Sequence, residues 1–427
     1  MDSNASSSSL IPQNHLRLLT RCTIASRVLT LLLIWLSSHL PLFDSSSKVL
    51  VDDSTFSLTT ALLRWDAFHF AQIARDGYVY EHQWAFFPGT PMVMNLASRL
   101  MRFTKPAENS IGWVDILQGG ALASLCCDST QTLYHLSLYH LKSPSLALLA
   151  SLLSLLPSSP ATLRYAGYSE PFFTFFSYKG MLSCARRQWF RASCYFVLAA
   201  TFRSNGFLLG GYILWGLIIR PSYQGKAVRL PSLSKIGYAV ALTTLTFIPF
   251  IFHQYTAYRN FCTSTDLSIH LPSWCHNTVP SIYAHVQSRY WNVGFLRYWT
   301  LAQAPNILIA SPVLALLSIF SLMQISNAAP RILSNSKHKQ KLDIQASPFF
   351  IESLTPHAIL ASILVSILLF ASHTQIALRQ AAAVPITYWA AAWLIVERPW
   401  WGRIWIIWSV VWGAISIVLW TAFLPPA

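Results

Sequence analysis

The stretch RWDAFHF, residues 64–70, follows the first long apolar run of the chain, residues 24–43, and precedes YEHQWAFFP at residues 80–88. It places Asp66 and His69 among large aromatic rings, in a chain with only 15 acidic residues among 427. Ionisable side chains flanked by aromatic rings at a membrane surface indicate a functional site. A solvated interfacial helix within an aromatic belt would show the same pattern, so the rest of the chain must distinguish the two.

Composition indicates a membrane protein that crosses the bilayer several times. The chain is 54% hydrophobic and 11% charged, and its mean hydropathy is +0.43, whereas soluble domains contain about 25% charged residues. The net charge of +15 does not indicate nucleic-acid binding, because the basic residues recur in short loops between apolar runs. We therefore predict an all-α polytopic membrane protein with no nucleic-acid partner.

Apolar runs of about 20 residues predict membrane-spanning helices. Such runs lie at residues 24–43, 113–138, 144–162, 170–184, 235–253, 304–324, 354–372, 378–396 and 402–423. Residues 189–219 are too long for one span and short for two, and their middle is Arg203-Ser204-Asn205-Gly206. We predict a hairpin or broken helix that turns there, because polar backbone at membrane depth needs protein or water around it. The total is about ten membrane segments.

The basic residues orient these helices. With the N-terminus in the cytosol and a turn at Arg203, the basic loops all face the cytosol. This predicts a cytosolic tail at 1–23 and one multi-pass domain at 24–427. The domain then contains a first long loop at 44–112 and a second large loop at 254–303, both on the far side of the membrane, and a basic cytosolic loop at 325–352. A disulfide between Cys262 and Cys275 is expected if the far side is an oxidising lumen.

Carboxylates are the candidates for a general base, because a partly desolvated carboxylate beside a hydroxyl can accept its proton. Outside the predicted cytosolic segments, linker and helices, they are Asp66, Asp76, Glu81, Glu170 and Asp266. Asp66 is the strongest candidate because it lies between Trp65 and Phe68. His69 would share its face of a helix. The two could form a metal pair, but no further ligands lie at a firm spacing, and we predict no metal.

Arginines on the far side would suit an anionic substrate, since the guanidinium fork matches phosphate oxygens. They are Arg64, Arg164, Arg203, Arg289 and Arg379. Each could instead pair with a lipid headgroup or cap a helix, and Arg203 and Arg64 are the strongest candidates for a site. The chain contains no Walker A, GxGxxG, HExxH or DxD pattern, which argues against the nucleotide and metal sites built on those motifs.

Several motifs follow one another in a fixed order over most of the chain. They are Arg64-Trp65-Asp66 with His69-Phe70, Tyr80-Glu81-His82 through Phe86-Phe87-Pro88, Tyr168-Ser169-Glu170, Arg203-Ser204-Asn205-Gly206, and residues 287–298 with Gln303 and Pro305-Asn306. In these motifs the chain resembles the GPI mannosyltransferase 2 family, enzymes of the endoplasmic reticulum that add the second mannose to the glycosylphosphatidylinositol (GPI) anchor. Three places depart from the family pattern: residues 159–162, Ala67, and Gln375 with Arg379. These departures weaken Thr162 and Arg379 as site residues and do not affect Asp66.

The resemblance implies a C-type glycosyltransferase fold, a bundle of membrane helices in the endoplasmic reticulum. It implies that the far side is the lumen, and that the first lumenal loop at 44–112 is the catalytic loop that forms the active site. It implies dolichyl phosphate mannose as the donor, a GPI precursor as the lipid-linked acceptor, and an α-1,6 bond made by inverting displacement without a cofactor. Asp66 would be the base, and Arg203 or Arg64 would hold the departing phosphate. The other implied substrate-binding residues are Trp65, His69, Glu81, His82, Glu170, Asn205, Tyr290 and Trp291. Whether the enzyme also needs a small membrane partner subunit is an open question at this point.

Three other interpretations stay open. One is a different dolichol-phosphate-sugar transferase of the same fold. The second is a lipid transporter, which would be expected to show an inverted repeat with paired broken helices, whereas the sequence shows one broken helix and no repeat. The third is a non-catalytic scaffold, which would tolerate loss of Asp66. Trp291 could also belong to an interfacial belt instead of a site.

Overall fold

The computed structural model describes residues 3–51, 57–103, 111–224, 231–263, 271–333 and 347–424, and within these ranges it contains helices and no strand. In chain order the α-helices are α1 Ser3–Ser37, α2 Ser46–Leu50, α3 Ser57–Thr60, α4 Asp66–Asp76, α5 Gly89–Arg102, α6 Trp113–Cys126, α7 Thr130–Leu141, α8 Pro144–Leu153, α9 Pro160–Arg164, α10 Glu170–Ala185, α11 Trp189–Ala200, α12 Gly211–Leu214, α13 Arg220–Gln224, α14 Leu233–Cys262, α15 Ile282–Arg289, α16 Ala304–Leu333, α17 Thr355–Phe370, α18 Ala377–Gln380, α19 Ile386–Glu397 and α20 Pro399–Thr421.

Five helical segments of the described chain are long and apolar enough to cross a membrane: Pro12–Ser37, Leu233–Cys262, Leu301–Ala329, Glu352–Phe370 and Pro399–Thr421. Two shorter apolar helices are Pro144–Leu153 and Ile386–Glu397. The all-α membrane architecture is therefore confirmed, and the total of about ten segments stays a prediction. The boundaries of the tail and loops stay predictions too. Helix α1 runs without interruption through residue 23, and part of the predicted loop at 325–352 lies outside the described residues.

The prediction of a single span at 113–138 is wrong, because α6 ends at Cys126 and α7 begins at Thr130. Arg27 of α1 donates a hydrogen bond from Nη1 to the carbonyl oxygen of Leu125 at 2.6 Å. Oδ1 of Asp128 accepts from the backbone N–H of Thr130 at 3.2 Å. These two side chains satisfy backbone groups that the break exposes. The hydropathy of residues 113–138 shows one apolar run, because it contains no information about hydrogen-bond partners from other parts of the chain.

The predicted spans at 144–162 and 378–396 are also interrupted. Helix α8 ends at Leu153, and the chain turns before α9 begins at Pro160. Between α18 and α19, Val384 is extended immediately before Pro385. Proline has no backbone N–H and restricts the residue before it. A new helix therefore begins at Pro160 and another directly after Pro385, where the hydropathy suggests a continuous helix.

The hairpin predicted at 189–219 is confirmed. Helix α11 ends at Ala200, the chain turns at Arg203, and a 3-10 segment at Ser204–Gly210 leads into the returning leg. A Cβ atom on Gly206 would collide with the backbone of Ala200, and one on Gly216 would collide with the ring of Trp189. The two legs are therefore antiparallel and in close contact along their length, and the turn places Arg203 at one end of the bundle.

Two packed cores hold that end of the bundle in place. The larger core lies between α10, α11, α16, α17 and α19, and its members include the fully buried rings of Phe196, Phe320 and Trp389. The smaller core packs α4 against α6 and the end of α20, through residues such as Phe70 and Trp420. The starts of α4 and α10, the turn at Arg203 and the residues after α17 meet where these cores adjoin.

The expected disulfide between Cys262 and Cys275 is confirmed, with Cα atoms 5.6 Å apart. It joins the end of α14 to the 3-10 turn at Ser273–His276. That turn carries Trp274, which is buried and belongs to a small separate core together with Trp84 and Val286. The bond therefore fixes the second large loop to the helix from which it starts.

Loss of this disulfide is expected to destabilise the protein. In a Cys262→Ser/Cys275→Ser variant the free energy of unfolding should fall by about 3 kcal/mol, because the bond closes a loop of 13 residues. Thermal melting of the purified protein in detergent measures the effect. Cys194→Ser, which removes an exposed free thiol, is the matched control. Its melting temperature should equal that of the wild type. A double variant with an unchanged melting midpoint would contradict the expectation.

Candidate active site

Asp66 is the first residue of α4, and a strained turn positions it. Trp65 before it has a φ of 51°, a conformation that residues other than glycine rarely adopt and that concentrates at functional sites. The hydroxyl of Tyr168 holds the turn from both sides. It accepts the N–H of Asp66 at 3.0 Å and donates to the carbonyl oxygen of Arg64 at 3.3 Å.

Four alternating charges extend from Asp66 into the protein. Nη1 of Arg379 donates to Oδ2 of Asp66 at 2.7 Å, and Nε of Arg379 lies 3.9 Å from Oε1 of Glu170. Arg203 donates from Nη1 to the same Glu170 oxygen at 2.6 Å. The side chain of Glu170 is 3% exposed, whereas that of Asp66 is 36% exposed. The row of charges is neutral as a whole, and Asp66 is its most accessible member.

Two adjoining cavities, of about 200 and 210 Å³, share the Asp66–Arg379 pair as part of their walls. The first, which we call the aromatic cavity, is also lined by Trp65, Phe86, Tyr168, Trp291, His373 and Gln375. The second, which we call the lipid-side cavity, is also lined by Glu170, Arg203, Asn205, Leu364, Ile367 and Leu368. A carboxylate shared by two cavities can contact both partners of a two-substrate reaction.

Glu81 lies in a separate cluster that joins the two large loops. Nε1 of Trp274 donates to one carboxylate oxygen at 2.6 Å, and the hydroxyl of Tyr290 donates to the other at 2.9 Å. His285 lies 3.5 Å from the second oxygen. Among the described residues that line the two cavities, neither Glu81 nor Tyr290 is present. Their contacts fix the loops around the site instead of forming its walls.

His69 and His82 form a second layer behind the aromatic cavity. Their ring centroids are 5.2 Å apart, and His69 stacks on Phe86 at 4.6 Å. Burial lowers the pKa of His69; the charge of Asp66 opposes this shift, and His82 adds to it. Burial also lowers the pKa of His82. Both imidazoles are therefore neutral near neutral pH, where each can donate one hydrogen bond and accept one.

Arg64 was predicted to face a phosphate, and the structure directs its side chain elsewhere. It is 2% exposed. Its Nη1 donates to the carbonyl oxygens of Thr60 and Leu63 at 2.7 and 2.9 Å, and its Nε donates to that of Thr421 at 3.2 Å. Burial lowers the pKa of Arg64 to about 10, and Asp44 opposes that shift. The guanidinium is therefore charged and ties the first loop to the end of α20.

Arg379 occupies the centre of this row of charges, although the sequence favours Arg203 and Arg64 as the arginines of the site. Its match to the family pattern is loose, yet it bridges Asp66 and Glu170. A signal was present, because Arg379 is the only Lys, Arg, Asp or Glu between Glu352 and Glu397. A lone charge in an apolar stretch of a membrane protein indicates function.

The remaining candidates divide between the cavities and the surface. Asn205 lines the lipid-side cavity, and its buried Oδ1 has no hydrogen-bond partner among the described residues. Asp76, at the far end of α4, pairs with the neighbouring Arg75 at 2.8 Å, and both are partly exposed. Asp266 lies outside the described residues. In the part of the chain that the structure describes, no three His, Cys, Asp or Glu side chains converge as metal ligands, and the absence of a metal or cofactor stays a prediction.

Comparison with known proteins gives consistent matches over nearly the whole chain. The family model described as mannosyltransferase (PIG-V) matches residues 15–427. A GPI mannosyltransferase 2 of Cryptococcus neoformans var. neoformans is 34% identical over 94% of this chain and 96% of its own length. GPI alpha-1,6-mannosyltransferases 2 of Rattus norvegicus and Homo sapiens are 31% and 29% identical, over 82% of this chain and 76% of theirs.

Two solved structures of oligosaccharyltransferase from Archaeoglobus fulgidus also align with the chain. One is the apo form, and the other, named AglB, is in complex with an inhibitory peptide and a dolichol-phosphate. They cover 95% and 94% of this chain, each with a TM-score of 0.43, at 10% and 11% identity. The chain spans 56% of the length of each.

A helical membrane bundle whose matched relatives are sugar transferases is a membrane-embedded glycosyltransferase. More particularly, the chain belongs to the mannosyltransferase (PIG-V) family, whose matched relatives act in GPI-anchor synthesis. The family and the enzyme class predicted from the motifs are thus confirmed. The transporter and scaffold interpretations have no comparable support.

Proposed function

We propose that this chain transfers mannose from dolichyl phosphate mannose to the first mannose of a GPI precursor, in α-1,6 linkage, on the lumenal face of the endoplasmic reticulum membrane. The observation that carries the proposal is the position of Asp66, an accessible carboxylate shared by two cavities and bonded to Arg379 at 2.7 Å. The names of the relatives support the linkage and the acceptor. The positive-inside rule supports the lumenal side.

The proposed reaction is a single displacement that inverts the anomeric carbon. The 6-hydroxyl oxygen of the acceptor attacks that carbon, the bond from carbon to phosphate oxygen breaks, and dolichyl phosphate leaves with the electron pair. Asp66 accepts the hydroxyl proton as general base. A single step with one base and no covalent sugar intermediate is the inverting logic known from glycosidases. Arg379 orients the Asp66 carboxylate through its hydrogen bond.

The lipid-side cavity suits the donor. Arg203 lies on its wall beside the apolar side chains of Leu364, Ile367 and Leu368, and Ile367 is 42% exposed. A guanidinium next to an apolar wall that reaches the surface matches a phosphate attached to a polyprenyl chain. Arg203 would stabilise the charge that develops on the leaving phosphate. The unpartnered Oδ1 of Asn205 would accept a hydrogen bond from the donor sugar.

The aromatic cavity suits the acceptor sugar. The rings of Trp65 and Trp291 and the amide of Gln375 line it next to Asp66. Apolar rings with a few polar groups are the usual composition of a cavity that binds and orients a small ligand. His373 reinforces the wall, because its Nε2 contacts the carbonyl oxygen of Trp291 at 2.8 Å. An acceptor hydroxyl placed here would face both the Asp66 carboxylate and the donor.

Complementation tests this function. Cells that lack their second-mannose GPI transferase would express the chain, and mass spectrometry would read the GPI lipids that accumulate. We expect intermediates with two or more mannoses to return. Membranes from these cells should use added dolichyl phosphate mannose and should not use GDP-mannose when synthesis of the lipid donor is blocked. Persistence of one-mannose intermediates at normal expression, or direct use of GDP-mannose, would contradict the proposal.

Stability is expected to depend on pH through His69. Its lowered pKa means that the unfolded chain binds a proton at this position at a higher pH than the folded protein does. Below about pH 6.5 the unfolded state therefore binds more protons, and the free energy of unfolding falls as the pH falls. The melting temperature of the wild type should drop more steeply than that of His69→Gln. His276→Gln, at an exposed position, should keep the wild-type slope; identical slopes in all three proteins would refute this.

A further inference from the structure

A third cavity, of about 410 Å³, lies at the opposite end of the bundle from Asp66. Helix α10 connects the two ends: Glu170 at its start lines the lipid-side cavity, and Cys184 near its end lines this one. Those residues are 14 positions apart, or about 21 Å along a helix. We call it the basic cavity, after the arginine and lysine side chains on its wall. The mannosyl-transfer reaction uses none of its residues.

The rim of the basic cavity is positively charged. Its described lining residues include Arg187, Arg220 and Lys235 and no carboxylate. Arg187 and Lys235 are exposed, and neither forms an ion pair with a residue that the structure describes. Arg220 lies 3.6 Å from Glu352, which is not part of the lining. Guanidinium and ammonium groups without carboxylates between them are the usual ligands of phosphate.

Buried polar side chains lie on the inner wall of this cavity. Nδ1 of His140 contacts Oγ of Ser353 at 3.0 Å, and Nδ1 of His357 contacts the hydroxyl of Tyr212 at 2.9 Å. His140 is 6% exposed, and its Nε2 has no hydrogen-bond partner among the described residues. These side chains give the inner wall of the cavity a polar character next to its basic rim.

An irregular helix shapes the remaining wall. Residues Trp215–Ile219 form a π-helical turn, a rare feature that concentrates at functional sites. Gly216 within this turn leaves room for the ring of Trp189. Apolar side chains of Trp189, Met181 and Leu217 line the cavity next to its basic rim. The volume lies within the range of about 300 to 1,000 Å³ that is usual for small-molecule sites.

We propose that the basic cavity binds a phosphate ester of net negative charge, with the anion at the rim formed by Arg187, Arg220 and Lys235. An anionic membrane lipid is one source of that group, since its acyl chain would lie on the apolar wall. This end of the bundle carries the basic loops that face the cytosol under the positive-inside rule, and the cytosolic leaflet is rich in anionic lipids. A soluble phosphate ester is the other source.

Native mass spectrometry of the full-length protein in detergent micelles tests the proposal. The probes are phosphatidylserine, phosphatidylcholine with the same acyl chains, and inorganic phosphate as a competitor. The test variant is Arg187→Gln/Lys235→Gln. The matched control is Arg398→Gln/Arg403→Gln, which removes the same charge from exposed positions at the same end of the bundle and outside the cavity. Melting temperatures and transfer activity should stay at the wild-type level in both variants.

We expect one phosphatidylserine to bind saturably to the wild type and to the control, and about tenfold more weakly to the test variant. Binding that persists in excess inorganic phosphate identifies the lipid as the occupant. Displacement by inorganic phosphate identifies the soluble anion, and either result supports a phosphate site. Three results would overturn the proposal: no saturable binding of either anion, equal binding of phosphatidylcholine, or the same loss of affinity in both variants.

Discussion

Asp66→Asn is expected to lower the rate of mannosyl transfer by about 10²- to 10⁴-fold, the contribution that a positioned general base makes. Asparagine keeps the size of the side chain but cannot accept the hydroxyl proton. The variant should fold, because Asp66 is 36% exposed and its backbone N–H still binds the hydroxyl of Tyr168. The measurement is the initial rate with membranes of matched protein content and added lipid donor and acceptor.

Asp76→Asn is the matched control for this experiment. Asp76 ends the helix that Asp66 begins, and its carboxylate pairs with the neighbouring Arg75. The control variant removes the same charge from the same helix and should retain the wild-type rate. If both variants keep that rate, Asp66 is not the base. If both lose it equally, the effect belongs to the helix as a whole and not to the chemistry.

Arg379→Gln is expected to impair both stability and catalysis. The change leaves the carboxylates of Asp66 and Glu170 without the guanidinium that joins them. The free energy of unfolding should fall by less than the about 3 to 5 kcal/mol that breaking a fully buried ion pair costs, because Asp66 is 36% exposed and Glu170 keeps its pair with Arg203. A loss of orientation at Asp66 should lower the rate by about 10²-fold or more. Melting temperature and initial rate report the two effects separately.

Arg379→Lys separates charge from geometry at this position. Lysine restores the positive charge but lacks the planar fork that contacts two carboxylates at once. We expect much of the melting temperature to return while the rate stays low. Arg75→Gln removes an arginine that pairs with a partly exposed carboxylate and lies over the ring of Trp113 at 4.2 Å. It should keep the wild-type rate and lose at most about 1 kcal/mol of the free energy of unfolding. Full activity in Arg379→Lys would show that the fork is not needed.

The parts of the site that lie close together in the chain could be predicted best from the sequence. Trp65-Asp66 and Arg203-Ser204-Asn205 each lie within a few residues, and a break in hydropathy marked the second of them as a turn. The hairpin followed from that break, and Gly206 and Gly216 permit the close approach that it requires. Local sequence carries such information because helix ends and turns depend on nearby residues.

Contacts between residues far apart in the chain could be predicted least well from the sequence. Arg27 supports the break after α6 from a different helix, and Arg64 donates to Thr421, 357 residues further along the chain. An arginine that faces a substrate and one that binds backbone carbonyls look alike in a sequence. The hydropathy therefore predicts one continuous helix at 113–138 where the structure has two. The motif likewise predicts a phosphate ligand at Arg64, whose side chain the structure shows to be buried.

Composition and motif order were enough to define the helical membrane class, the family and the candidacy of Asp66, because these depend on local hydropathy and on residues close together in the chain. The pairing of Asp66 with Arg379, 313 residues away, emerges when the helices pack. Charges in a water-poor interior must find opposite charges, and the folded bundle determines which ones meet. The same packing turned Arg64 away from the cavities and made Asp66 and Arg379 a shared wall between them.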